Sequence, residues 1–119
     1  MQVYISADME GISGLVDAAD VQPGGSDYER GRVMMTEDVN AAVRGALAAG
    51  ATRILVNDAH GPMRNILPDQ LHPAAHLVRG RRPLIERQLL PDGAHHRGVM
   101  IEHRGLPAGR IFEAEQKLA

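Results

Sequence analysis

Residues 51–61 read Ala-Thr-Arg-Ile-Leu-Val-Asn-Asp-Ala-His-Gly. The run from Thr52 to Asn57 has the apolar, β-branched content of a short buried strand. It ends abruptly in the polar triplet Asp58-Ala59-His60, followed by Gly61-Pro62. The chain opens in the same way, with Gln2 to Ala7 passing straight into Asp8-Met9-Glu10 and then Gly11. Between the two runs, Ser26 and Glu29 have the spacing of a capping box, in which each side chain satisfies a free backbone N–H at a helix start. Val33, Val39, Val43, Ala46 and Leu47 then fall near one helical face, and Gly50 supplies a stop. The spacing predicts a helix over 28–49. Strand, loop, helix, strand is a crossover unit, which lays the two strands parallel and brings both to an end on one edge of a sheet. The expected fold class is α/β, a three-layer Rossmann-like sheet of parallel strands with a crossover helix.

Further along, His76-Leu77-Val78 reads as a third strand, Pro83 to Leu90 as a short helix, Gly98 to Ile101 as a strand and Arg110 to Leu118 as a terminal helix. A length of 119 residues suits one domain with one core, and 44% apolar with 24% charged residues is ordinary for a globular protein. There is no cysteine, which excludes disulfides, thiolate metal sites and a cysteine nucleophile. Any transition metal must be held by histidine and carboxylates. The N-terminal residues lack the basic flank and apolar core of a secretory signal, and no apolar run is long enough to span a bilayer. A cytoplasmic location with no membrane partner is expected. A formal charge of −2 gives no general attraction for nucleic acid. Acids outnumber bases as far as Val78, and the balance reverses from Arg79 onward.

The chemistry lies at the two strand ends. Residues i and i+2 of an extended chain point the same way, so Asp8 with Glu10, and Asp58 with His60, can each face one point. Open α/β sheets gather ligands outside the carboxyl ends of their strands. Three carboxylates and an imidazole on one such edge outline a site for Zn²⁺, Mn²⁺ or another divalent metal. Charged residues also stand at strand ends simply because the chain is leaving the core. Two pairs on one edge, beside a glycine-bearing segment from Gly11 to Asp27 that reads as a long surface loop, weigh towards the metal site. Gly11-Ile12-Ser13-Gly14 has neither dinucleotide nor P-loop spacing, so backbone turning accounts for it better than phosphate binding. Tyr28-Glu29-Arg30 either place a phenol and a guanidinium near this edge or form an exposed helix end. His72, His76, His95 and His96 read as solvated loop histidines.

The segments Asp8-Met9-Glu10-Gly11-Ile12-Ser13-Gly14, Tyr28-Glu29-Arg30-Gly31-Arg32, Met35-Thr36-Glu37, Val56-Asn57-Asp58-Ala59-His60 and Leu71-His72-Pro73 together resemble, in order, the zinc-dependent D-aminopeptidases of dipeptide-transport operons. The resemblance implies zinc as cofactor, two ions in the intact site, and metal roles for Asp8, Glu10 and His60, with Asp8 bridging. It places Asp58 behind the ligands, orienting the histidine or its loop. The implied reaction is hydrolysis of the N-terminal bond of short peptides, with preference for D-residues, by a zinc-activated water. Ring-like homo-oligomers are implied too.

Beyond about residue 80 the resemblance ends. The family continues with a Gly-Tyr-His segment whose histidine is a further ligand, whereas this chain has Arg97-Gly98-Val99-Met100-Ile101-Glu102-His103-Arg104. His103 is a weak stand-in. Residues 1–80 therefore read as the N-terminal metal-binding part of a truncated D-aminopeptidase-like domain, and residues 81–119 as a divergent or frameshifted tail. The alternative is a non-catalytic fragment, a binding or assembly module that retains the fold. If the tail is frameshifted, translation of the coding DNA in one of the other two frames yields a Gly-Tyr-His-type segment, and its absence from both rejects the frameshift.

Overall fold

The computed structural model describes residues 1–80 and, as backbone, two later strands, His95–Ile101 and Phe112–Lys117. Strand β1 is Gln2–Ala7, helix α1 Ala18–Val21, helix α2 Tyr28–Ala48, strand β2 Arg53–Asp58, strand β3 Ala75–Val78, β4 His95–Ile101 and β5 Phe112–Lys117. They form one sheet in the order β3-β2-β1-β4-β5. The first four strands are mutually parallel, and β5 runs antiparallel to β4. The α/β class and the crossover through α2 are as the sequence implies. The register of β1 on β2 runs from Gln2 opposite Arg53 to Ala7 opposite Asp58. The Ala59 N–H then donates to the Ala7 carbonyl at 2.9 Å, so both chains leave the sheet at the same level.

Pleating sends alternate side chains to opposite faces. Val3, Ile5 and Ala7 of β1 join Ile54 and Val56 of β2 beneath Met35, Val39 and Val43 of α2, and this is the core. The helix buries Tyr28, Gly31, Met35, Val39 and Val43, while Val33 and Leu47, expected on that face, are 40% and 37% exposed. Val33 precedes Val39 by six residues, which turns it about 120° away around the helix. After the C-cap, Gly50 adopts φ 90°, its N–H meets the Leu47 carbonyl, and the Ala51 N–H meets that of Ala46. That is a Schellman ending, for which glycine is the favoured residue.

Three expectations are corrected. The capping box at Ser26 and Glu29 does not form: Asp27 is the N-cap and makes no side-chain cap bond. With Asp27 at the N-cap, Ser26 stands one residue too early and the third helical position is Arg30 rather than an acid, while the N–H groups of Asp27 and Tyr28 meet the carbonyls of Ala19 and Gly25. A capping box stands instead at Asp17 and Asp20, where it starts α1. The segment from Gly11 to Asp27 is no plain surface loop, since it contains α1 and sends Ile12 and Leu15 into the core. Finally, residues 112–117 extend as β5 rather than coil into the expected helix. The open edge of β4 offers a row of backbone partners there, and such tertiary pairing overrides the local helix preference of Glu, Ala, Gln and Lys. The short helix expected over 83–90 lies outside the described residues. Among the described residues, no helix is long and apolar enough to cross a membrane.

Gly31 lets α1 approach α2. A Cβ there would collide with the Asp20 carbonyl oxygen and stand 3.0 Å from the Met9 Cε. Helix propensity alone favours Ala over Gly by about 1 kcal/mol, whereas overpacking costs roughly 1–3 kcal/mol. Gly31→Ala is expected to lower the thermal midpoint by about 5 °C or more, followed by circular dichroism. A raised midpoint would show that the contact is easily relieved.

Candidate metal centre

Asp8 is the first residue beyond β1 and remains extended, with φ −123° and ψ 140°. The chain then coils into a 3-10 turn, Met9–Gly11, which buries Met9 and carries Glu10. The extended geometry expected through Glu10 is thus absent, and the turn brings its carboxylate back instead. His60 arrives from just beyond β2. Its Nδ1 lies 2.8 Å from Asp8 Oδ1 and 2.9 Å from Glu10 Oε2. The ligand atoms of the three residues all fall within 4.8 Å of one another. The ring of His60 is 11% exposed, whereas Glu10 is 45% exposed, so the cluster opens to solvent on the Glu10 side.

The second ring nitrogen, Nε2, lies 2.7 Å from the carbonyl of Val21, the last residue of α1. With a proton on Nε2 donated to that carbonyl, Nδ1 is left to face the carboxylates. A backbone carbonyl behind the ring is the usual support of a metal-bound histidine. Two carboxylates and one imidazole are the oxygen and nitrogen donors that Zn²⁺ takes in open, three-ligand sites. The present spacings are those of hydrogen bonds. An ion held by Asp8, Glu10 and His60 Nδ1 would take the place of the Nδ1 proton.

Without metal, that proton is strongly held. The hydrogen bond to Asp8 is the main cause and outweighs burial, and with the Val21 carbonyl and the charge of Glu10 it raises the His60 pKa from 6.5 to about 9. Burial raises the Asp8 carboxyl, but its bonds to His60 and Glu10 and the His60 charge bring it below its ordinary value. Burial and the neighbouring Asp8 push the Glu10 carboxyl up.

Asp58 lies behind this cluster and is fully buried. Its carboxylate accepts from the backbone N–H of Asn65 at 2.6 Å, that of Ile66 at 2.8 Å and the Asn65 side-chain amide at 2.8 Å. The His60 N–H stands 3.4 Å away. These bonds wrap residues 60–66 into a tight loop, in which Met63 takes the left-handed φ of 57°. A non-glycine residue pays about 1–2 kcal/mol for that conformation, which the His60 carbonyl offsets in part by accepting the Met63 N–H at 2.7 Å.

Sequence reasoning missed the support of this loop by α2. Tyr28, Arg32, Thr36 and Asn40 recur every four residues and line one helical face. The Tyr28 hydroxyl donates to Asn65 Oδ1 at 2.6 Å, and Arg32 Nε to the Asn65 carbonyl at 3.0 Å, with the guanidinium over the Tyr28 ring. Thr36 Oγ1 accepts the Leu67 N–H, and Asn40 pairs with the Gln70 carbonyl and the His72 N–H. Four-residue spacing of polar groups beside an apolar stripe was the available signal. Nothing in the sequence marks Val21, because its contribution is a backbone oxygen. Tyr28 is buried, against the reading of an exposed helix end, while Glu29 and Arg30 are exposed. His72 accepts the Ala74 N–H within a turn, and His76 is exposed on β3. His95 and His96 belong to β4 rather than a loop, and His103 lies outside the described residues.

A mostly parallel α/β sheet with an oxygen and nitrogen ligand cluster at its carboxyl edge defines a class of metal-binding domain. A sequence model of the D-aminopeptidase family matches residues 1–89, and the chain belongs to that family. It is 49% identical over 80 residues to a D-aminopeptidase of Bacillus subtilis, covering 67% of this chain and 29% of that protein. Among solved structures it matches the Zn-dependent D-aminopeptidase DppA from Bacillus subtilis, described as a self-compartmentalizing protease, with a TM-score of 0.67 and 48% identity. That match covers 68% of this chain and 30% of the other. The chain thus spans under a third of the length of these relatives.

The raised His60 pKa fixes opposite pH trends for folding and for metal uptake. Below pH 6.5 the ring is protonated in folded and unfolded chains alike, so its contacts with Asp8 and Glu10 contribute fully. That contribution is lost as pH rises through about 9. A Zn²⁺ ion bound through Nδ1 would have to displace the proton, so its affinity should climb by about tenfold per pH unit and level off near the folded-state pKa. Denaturant midpoints of metal-free protein and chelator-competition titrations from pH 6 to 9.5 check both trends, and a flat zinc affinity would contradict the assigned proton.

Proposed function

We propose that this chain carries the metal-binding part of a zinc-dependent aminopeptidase acting on the N-terminal residues of short peptides, D-residues by preference. The observation that carries the reading is the convergence of Asp8, Glu10 and His60 at the ends of two adjacent parallel strands, in a chain of the D-aminopeptidase family. Zinc, when bound, supplies Lewis acidity and lowers the pKa of water to near neutrality. The protein's own part is to hold the donors in place. Asp8 is fixed by the end of β1, Glu10 by the 3-10 turn, and the ring of His60 by Val21. Glu10, the most exposed of the three, lies on the side from which a peptide would enter.

Three ligands are the complement of one ion. A two-ion centre with Asp8 bridging needs further donors, for which His103 is the weak sequence candidate. The three-ligand count also favours a second reading, in which the segment binds metal and assembles without turning over substrate. Self-association belongs to the proposal as well, supported by the likeness to a self-compartmentalizing protease.

Calorimetric titration with Zn²⁺ is expected to show one equivalent bound, with Asp8→Ala weakening it by about a hundredfold or more, the loss of one charged ligand being a large fraction of the site. Equal binding by the two proteins would remove Asp8 from the site. Hydrolysis of D-alanyl p-nitroanilide by the zinc-loaded chain supports the enzyme reading. Tight zinc binding without turnover supports the second. Light scattering should return a multiple of 12.9 kDa, and the monomer mass would contradict self-association.

A further inference from the structure

Asn65 is completely buried, and every polar group it owns is engaged. Its side-chain amide donates to Asp58 Oδ1 at 2.8 Å and to the His60 carbonyl at 2.7 Å. Its Oδ1 accepts the Tyr28 hydroxyl, its N–H meets Asp58 Oδ2, and its carbonyl accepts Arg32 Nε. The His60 carbonyl accepts a second N–H, from Met63 at 2.7 Å. Asn65 is therefore the piece through which α2, the buried carboxylate of β2 and the backbone of His60 are joined.

We propose that Asn65 is a positioning residue for the metal centre, fixing the His60 backbone and with it the point at which Nδ1 meets Asp8 and Glu10. The proposal rests on the metal-centre reading above. An asparagine is required by the bonds themselves, because the position needs two donated protons and one accepted proton on a planar group of this length. Aspartate would set a second carboxylate against Asp58, and leucine would leave the Asp58, His60 and Tyr28 groups without their partner. The Val21 carbonyl holds the ring from one side, and Asn65 holds the main chain from the other.

A residue that merely stabilised the loop would behave like Asn40, which is also buried and ties α2 to the loop, but at Gln70 and His72, away from His60. The test compares Asn65→Ala with Asn40→Ala in the full chain, reading three quantities. These are the thermal midpoint, the Zn²⁺ affinity by chelator competition, and the His60 Nε2–H proton resonance of metal-free protein, which its bond to Val21 shields from exchange. Asn40→Ala should lower the midpoint and leave the other two unchanged. Asn65→Ala should weaken Zn²⁺ binding by about tenfold to a hundredfold, as loss of groups behind metal ligands does, and should broaden the ring resonance. Should Asn65→Ala fail to fold, Tyr28→Phe decides, since it removes only the hydroxyl that holds the Asn65 amide; the same two readouts should move, by less. Affinity and resonance unchanged in the folded variant, or lost equally in Asn40→Ala, would overturn the proposal. If the unaltered chain binds no Zn²⁺, the metal-centre reading fails, and the ring resonance alone judges the role of Asn65.

Discussion

Asp58 ends strand β2 with a carboxylate shut away from water and, among the described residues, paired with no cation. Burying a carboxylate costs several kcal/mol unless its oxygens are met by donors. Here the donors come from residues just ahead in the chain, chiefly the N–H groups of Asn65 and Ile66 and the Asn65 amide. Hydrogen bonds to a charged group contribute roughly 1.5–3 kcal/mol each, so the loop closes around the carboxylate as the condition for burying it. Since Asp58 is in register with Ala7, closing the loop brings His60 to the level of Asp8.

Helix α2 serves this arrangement with two different faces. Its apolar stripe covers the sheet, and the ridge of Tyr28, Arg32, Thr36 and Asn40 grips the chain from Arg64 to His72. Sheet and loop are therefore set relative to each other by one rigid body. Such polar groups specify the loop's path more sharply than apolar packing would, because a hydrogen bond is satisfied only at a set distance and direction.

These properties divide what the sequence makes legible from what it hides. The crossover unit and the strand ends bearing Asp8 and His60 are readable because pleat alternation, helix periodicity and the right-handed crossover act locally or through strong topological rules. Residue spacing predicts the convergence of Glu10 through an extended chain, and the structure achieves it through a 3-10 turn, since both conformations suit the same few residues. The polar ridge resembles a solvated helix face, because Thr and Asn at helical spacing look the same whether they meet water or a loop. A buried Gly31 and the Val21 carbonyl carry no side-chain signal. The strand β5 depends on an edge supplied by β4, and propensity within six residues cannot register a partner elsewhere in the chain.

Asp8 and His60 stand 52 positions apart, and Val21 joins them from the segment between. In the unfolded chain these groups are strangers, so a cation caught among them belongs to the native form alone. Each tenfold rise in free ion above the dissociation constant then adds about 1.4 kcal/mol to stability. A protease, which cuts the open form, would accordingly find a metal-bound chain a poorer substrate than the metal-free one.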